Sequence, residues 1–445
     1  MIIMPMQRDF NKFLGEQKIE SGELVPSRYN YLFTADDGAV LAYNTFSGAV
    51  AVLSNEQHRL LCSKNVAVDS KATPELEELI KYRFLVRPSV NEVEAYCELY
   101  SAVKDFTYDP PITSYTVLTT TGCNARCFYC FEQGFKPSSM KRETAEALAD
   151  YMITNSKGHK INIHWFGGEP LCNTAAMNTI SARLSEKGAQ FISTMTSNGY
   201  AFSDENIDTA VSLWNLKSVQ VTLDGLHDEH NRRKNFITEL PDPFHQTIEN
   251  IHKLIHAGIA VSIRLNFDSE NVADIPKLID FLAEEFKGCK GVAAYPAALF
   301  EDCNTWNPAR DNDENQKLIQ LQSELSEYIR QKFVLSEKSV CRGFSTAHCG
   351  ANSPMHRTIN PNGTFALCHN FSDSSVFGSI FEGITDSETY KKWTDNDRLR
   401  EKCSECIWLP ECTAFDMCPV KKSFCQINYE NLVRSKLLRI YKKRK

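Results

Sequence analysis

An α/β protein in three segments is predicted by three observations. Between residues 112 and 335, six apolar, β-branched stretches alternate with amphipathic helical ones. Before them, three short strands and two helices fit within about the first hundred residues. After them, eight of the chain's 16 cysteines crowd into a stretch rich in Gly, Asn and Pro that shows little periodicity. The expected boundaries are 1–107, 108–335 and 336–445. A chain of 445 residues exceeds what one hydrophobic core usually supports.

In the first segment, "YNYLFTADDGAVLAYNTFSGAVAVLS" reads as three strands turned at Asp36-Asp37-Gly38 and Ser47-Gly48. "NEQHRLLCSK" and "PELEELIKYRFL" read as helices; Leu76, Leu79 and Ile80 recur at i, i+3, i+4. Strands followed by helices at this size suggest a small winged-helix-like module.

In the central segment the expected strands are "SYTVLTT", "KINIHWFG", "QFISTMTSNG", "SVQVTLDG", "AVSIRLNF" and "GVAAYPAALF". Ile248, Ile251, Leu254 and Ile255 make one apolar helical stripe, stopped at Gly258; Ile275, Leu278, Ile279 and Leu282 make another. Repeated βα units imply a parallel sheet with right-handed crossovers. Alternation alone fits an open doubly wound sheet or a partial barrel equally well.

Apolar residues make up 42% and charged residues 24%, ordinary for a globular protein. The net charge of −7 argues against a general nucleic-acid binder. The basic end "VRSKLLRIYKKRK" reads as a solvated tail. There is no run of 18 apolar residues, so no membrane partner is expected, and the start is too short in apolar residues for a signal peptide. A cytoplasmic location is the expectation, and there clustered cysteines point to metal before disulfides.

The stretch "TTTGCNARCFYCFEQG" places Cys123, Cys127 and Cys130 in C-x₃-C-x₂-C directly after the first central strand. Ligands of parallel α/β folds bind at the C-terminal ends of strands. Three thiolates are one too few for a closed tetrahedral site; on a [4Fe–4S] cube they leave one iron open. "CNARCFYC", with Tyr129 at the aromatic place, resembles the signature of radical SAM enzymes. The resemblance implies a partial (β/α)6 TIM-like barrel. It also implies S-adenosylmethionine (SAM) on the open iron, cleaved after one-electron reduction by a flavodoxin or ferredoxin to a 5′-deoxyadenosyl radical. It carries over "FGGEP", with Gly167, Gly168 and Glu169, the last facing the SAM ammonium. It carries over Ser197 and Asn198 of "TSNG", Asp224 with Arg232 or Arg233 nearby, and Arg264 as a clamp for the SAM carboxylate.

The third segment runs C-x₁₃-G-x₄-C from Cys349 through Gly363 to Cys368, then "CSECIWLPECTAFDMC", then Cys425. It resembles the SPASM extension of many radical SAM enzymes, except that five residues rather than three separate Cys412 from Cys418. The resemblance implies a C-terminal Cys-rich iron–sulfur domain with two auxiliary [4Fe–4S] clusters. One would take Cys341, Cys349, Cys368 and Cys418; the other would take Cys403, Cys406, Cys412 and Cys425. Two structural zinc sites are the alternative from spacing. The family often acts on peptides, and the first segment looks like a module that binds the leader of a ribosomally made precursor peptide as an added strand. Maturation of such a peptide by a thioether or other side-chain cross-link is therefore expected. The alternatives are anaerobic sulfatase maturation to formylglycine and a non-catalytic peptide-binding protein. His369, following Cys368 where the sulfatase-maturing branch has an Asp, is the candidate proton acceptor.

Overall fold

The computed structural model describes residues 2–4, 22–68, 73–106, 109–134, 136–237, 242–299, 313–333, 349–371, 375–394, 403–412 and 429–444. Cys341, Cys418 and Cys425 lie outside them. The chain divides into two compact units. One contains 1–109, 337–348 and 397–445; the other contains 110–336 and 349–396. The cysteine-rich segment is thus shared between the units.

The first unit holds β1 (Ile2–Met4), β2 (Gly22–Pro26), β3 (Asn30–Thr34), β4 (Val40–Asn44), β5 (Val50–Val52), β6 (Val66–Val68) and β7 (Leu85–Val86). They form an antiparallel sheet in the order β1-β5-β4-β3 and a smaller one in the order β6-β2-β7. Gly38 and Gly48, at φ 83° and 77°, make the two expected turns. Ser54 and Gln57 close a capping box on the helix Asn55–Cys62. On one side of β4, Ala42 packs with Leu61, Leu76, Leu79 and Phe84 from the two helices and the turn after them. On the other, Leu41 and Tyr43 pack against Val433, Leu437 and Ile440. These last three belong to the helix Tyr429–Arg444, so the basic end is not the solvated tail its charges suggest. Its apolar positions recur at i, i+4, i+7 and bury one stripe beneath the charge.

The second unit is built on β8 (Ser114–Thr120), β9 (Ile161–Gly167), β10 (Phe191–Ser197), β11 (Leu216–Leu223), β12 (Ala260–Phe267) and β13 (Val292–Ala298). These pair in parallel and in consecutive order. A doubly wound sheet would reverse direction partway, so the winding is that of a partial barrel. Alternate residues such as Ile163, Trp165, Val219, Val221, Ile263 and Leu265 are fully buried, together with helical Leu148, Met177, Ile251 and Leu278. The other register is more open and polar: His164, Thr194, Thr196, Thr222 and Arg264. Four further strands extend the sheet beyond β8: β14 (His356–Ile359), β15 (Thr364–Ala366), β16 (Val376–Ser379) and β17 (Gly383–Ile384). β14 runs parallel to β8 and the rest are antiparallel. Part of the low-periodicity segment is therefore sheet, in strands of two to four residues, too short for period-2 alternation to register.

Candidate active site

The three-cysteine loop leaves the end of β8 and is fixed from two sides. On one side, Arg126 N–H donates to the carbonyls of Lys234 and Asn235, and Ile237 N–H donates to Asn124 O. Asn235 takes a left-handed conformation (φ 47°, ψ 66°) to end the helix His227–Lys234 and aim these carbonyls. On the other side lies the loop Gly167-Gly168-Glu169. Gly168 N–H donates to Thr120 O, and Glu169 N–H donates to Gly122 O, both at 3.0 Å. A Cβ at Gly167 would lie 2.1 Å from Thr120 O, and one at Gly168 would lie 2.3 Å from Gly122 O. Both glycines are thus required by backbone-to-backbone packing that brings Glu169 beside the cysteines.

Glu169 is fully buried at the head of a small network. Ser197 Oγ donates to it at 2.9 Å, Asn198 N–H at 2.8 Å and Leu171 N–H at 3.2 Å. Burial nevertheless pushes its carboxyl above the usual range, so a cationic ligand group here would be strongly favoured. The Ser197 hydroxyl is committed to Glu169, while the Asn198 amide reaches Asn124 beside Cys123 at 2.7 Å.

Tyr129 and Asp224 meet directly. The Tyr129 hydroxyl lies 2.7 and 2.8 Å from the two carboxylate oxygens of Asp224. Asn266 Nδ2 donates to Asp224 at 2.9 Å. The cation of this network is Lys234, whose Nζ lies 2.9 Å from Tyr129 Oη, 2.7 Å from Thr222 Oγ1 and 3.3 Å from Asp224. Burial opposes ionisation of Asp224, but Lys234, His230, Tyr129 and Asn266 together hold its carboxyl below the ordinary value. Burial pushes the Tyr129 hydroxyl well up, and Asp224 adds to this. Arg232, by contrast, is exposed and pairs with Glu229, while Arg233 covers the Phe128 ring and pairs with Asp268. Sequence reading of "NRRK" stops one residue short of the charge that matters. The signal was helical: His230, Arg233 and Lys234 fall at i, i+3, i+4 and are the buried face.

The residues present fit an iron–sulfur cluster with a bound amino acid group. Burial pushes the Cys123 thiol up to about 12 and the Cys130 thiol to about 11, so thiolates there call for a cationic partner. Arg264 Nε and Asn266 Oδ1 on β12 are buried without a hydrogen-bond partner among the described residues, one donor and one acceptor for a polar ligand. His369 lies beside Phe166, ring centroids 4.4 Å apart, next to Phe131 and near the polar register of β9. Cys349 and Cys368 belong to this unit; Cys403, Cys406 and Cys412 belong to the other, where Cys403 and Cys406 pack beside Tyr29, Phe46, Tyr96 and Leu409.

Comparison with known proteins agrees with this geometry. Residues 117–282 match the Radical SAM superfamily. The radical SAM cyclopropyl synthase TigE of Paramaledivibacter caminithermalis is 22% identical over 92% of this chain and 93% of its own length. Streptococcus suis SuiB bound to its precursor peptide SuiA has a TM-score of 0.53 at 15% identity, covering 90% of this chain and 97% of that one. Native anSMEcpe with bound AdoMet gives 0.57 at 14% identity, covering 75% and 100%. Among the described residues no helix is long and apolar enough to cross a membrane. A β8–β13 partial barrel with three cysteines after its first strand, and a family match over most of that barrel, make residues 117–282 a radical SAM domain.

Proposed function

We propose that the chain matures a ribosomally made precursor peptide by joining two of its side-chain atoms through a thioether, carbon–carbon or carbon–oxygen bond. The observation that carries this reading is that the likeness runs nearly the whole chain, the first unit included: 92% for TigE and 90% for peptide-bound SuiB. That unit gives an edge-bearing sheet suited to an added peptide strand.

Cys123, Cys127 and Cys130 would hold a [4Fe–4S] cluster. Glu169 would take the SAM ammonium, Arg264 its carboxylate, and Asn198 and the Tyr129–Asp224–Lys234 network would border it. When bound and reduced by a flavodoxin- or ferredoxin-type donor, the cluster and SAM would supply the radical chemistry that removes a hydrogen atom from the peptide. The chain's own work is to seat the target side chain at the mouth of the barrel, exclude water from it, and receive at His369 the proton released on bond formation. Cys349 and Cys368 would contribute to one auxiliary cluster. Cys403, Cys406 and Cys412 would contribute to the other with Cys425.

The test is an anaerobic incubation of the reconstituted protein with SAM, a reductant and the short peptide encoded beside its gene. The expected result is 5′-deoxyadenosine together with a peptide two mass units lighter. No 5′-deoxyadenosine from protein with intact cluster would overturn the reading. Formylglycine formation on a Cys- or Ser-containing sulfatase peptide would favour the second reading, which the fold likeness to anSMEcpe supports.

A further inference from the structure

A second group of ligand-type side chains lies apart from the cysteines, where the helix His227–Lys234 starts beside the start of the helix Pro243–His256. Asp242 is reached by two imidazoles. His227 Nε2 lies 2.9 Å from Asp242 Oδ1, and His245 Nδ1 meets Asp242 Oδ2. One ligand atom from each of the three residues lies within 4.8 Å of the others. A tetrahedral ion with bonds of about 2.1 Å sets its ligand atoms about 3.4 Å apart, a spacing that small side-chain rotations reach from here. His227 is oriented from behind as well, because its Nδ1 lies 2.6 Å from Asp228 Oδ1. A carboxylate on that nitrogen fixes the tautomer whose Nε2 lone pair faces Asp242, the arrangement found behind most metal-bound imidazoles. His227 is half-buried while Asp242 and His245 are exposed, so an ion and its water can enter. Among the described residues no Lys or Arg pairs with Asp228 or Asp242; each carboxylate is met by imidazoles.

We propose that His227, Asp242 and His245 bind one divalent ion of the zinc class, with Asp228 orienting His227. Two imidazoles and one carboxylate are a donor set that Zn²⁺ takes readily, water completing the fourth position. The ion acts as a staple. It ties residue 227 to residues 242 and 245, and the backbone between them supports the three-cysteine loop. Within that stretch the Lys234 and Asn235 carbonyls accept from Arg126 N–H, and Ile237 N–H donates to Asn124 O. Asn231 Oδ1, which accepts from Phe244 N–H at 3.1 Å, already joins the two helices. The ion therefore reinforces a junction the chain forms by itself, and its binding does not depend on which bond the enzyme makes in a peptide.

The test uses the full, untagged chain with its clusters reconstituted, washed briefly with EDTA and counted for iron and zinc. Zn²⁺ alone is then titrated in anaerobically and followed by calorimetry. The expected result is uptake of about one further Zn²⁺ per chain. The double change His227→Ala and His245→Ala, at unchanged iron content and circular dichroism, should weaken that uptake by at least about tenfold. Asp228→Ala should weaken it by about tenfold, through the orientation of His227. Hydrogen exchange locates the ion independently: Zn²⁺ should slow amide exchange at the starts of the helices His227–Lys234 and Pro243–His256 in the unaltered chain and not in the double variant. No uptake by the unaltered chain overturns the proposal and leaves the group as imidazole–carboxylate pairs. Equal uptake by the unaltered chain and the double variant also overturns it, by placing the ion elsewhere. Unchanged affinity in Asp228→Ala overturns the orienting role of Asp228. Should the double variant lose iron or helix signal, His245→Ala alone carries the same expected and overturning outcomes.

Discussion

Lys234 is fully buried yet makes three polar contacts, to Tyr129, Thr222 and Asp224. Removing one partner of a buried ion pair leaves the other charge uncompensated and typically costs about 3–5 kcal/mol. Lys234→Met should therefore destabilise the protein by about 3 kcal/mol in urea unfolding. Neighbouring Arg232→Met, exposed, should change stability by no more than about 0.5 kcal/mol. Gly168→Ala puts a methyl 2.3 Å from a carbonyl oxygen with no side chain to give way, so the loop bearing Glu169 must shift; SAM cleavage should fall about a hundredfold while the chain still folds. His164 is pushed down to about 4 by burial. Above pH about 6.5 it is neutral folded and unfolded, and makes no difference to the balance. Between about 6.5 and 4 only the unfolded chain takes up the proton, so stability falls as pH falls. His164→Gln should shrink the loss between pH 7.5 and 5.5 by about 1 kcal/mol in urea titrations at the two pH values; an unchanged difference would show that His164 is already solvated.

Among the elements, those with a strong period were legible in the sequence. β12 falls on "AVSIRLNF" residue for residue, and the helices Pro243–His256 and Ile275–Glu285 carry the apolar stripes read from the sequence. Gly258 has the positive φ of 77° its place as a stop requires. What was hidden had weak or masked periods. β14 is four residues long and owes its existence to the edge of β8, a partner that sequence spacing does not reveal. The helix Tyr429–Arg444 was hidden by its many Lys and Arg residues, though Val433, Leu437 and Ile440 were in phase throughout. Leu437 is fully buried in that contact. Leu437→Ala should cost about 2–5 kcal/mol, whereas Lys436→Ala should cost less than about 0.5 kcal/mol; equal, small effects in denaturant melts would return the segment to a solvated tail.

At the scale of the whole molecule, the site is legible where chemistry dictates residue type and obscure where geometry dictates it. The three cysteines, the glycine pair and Glu169 stand in sequence as motifs because no other residue types do their work. Lys234 is an ordinary residue type whose place in the site comes from the neighbours that folding gives it, Tyr129, Thr222 and Asp224. The cysteine-rich segment shows the same division. The resemblance grouped Cys349 and Cys368 with Cys341 and Cys418, and Cys403, Cys406 and Cys412 with Cys425; of these, Cys349 and Cys368 fall in one unit and the rest in the other. If each group helps hold its own four-iron cluster, the loaded chain carries about 12 iron atoms. Replacing Cys349 and Cys368 together by Ala should then remove about four iron and leave about eight. Replacing Cys403, Cys406 and Cys412 should remove a different set of about four, and the triple change at Cys123, Cys127 and Cys130 should abolish SAM cleavage while sparing about eight. Iron and sulfide analysis beside zinc analysis reads all three. A total near about four iron with about two zinc would assign the C-terminal cysteines to zinc, and loss of all iron from any one set would mean that the clusters do not form independently.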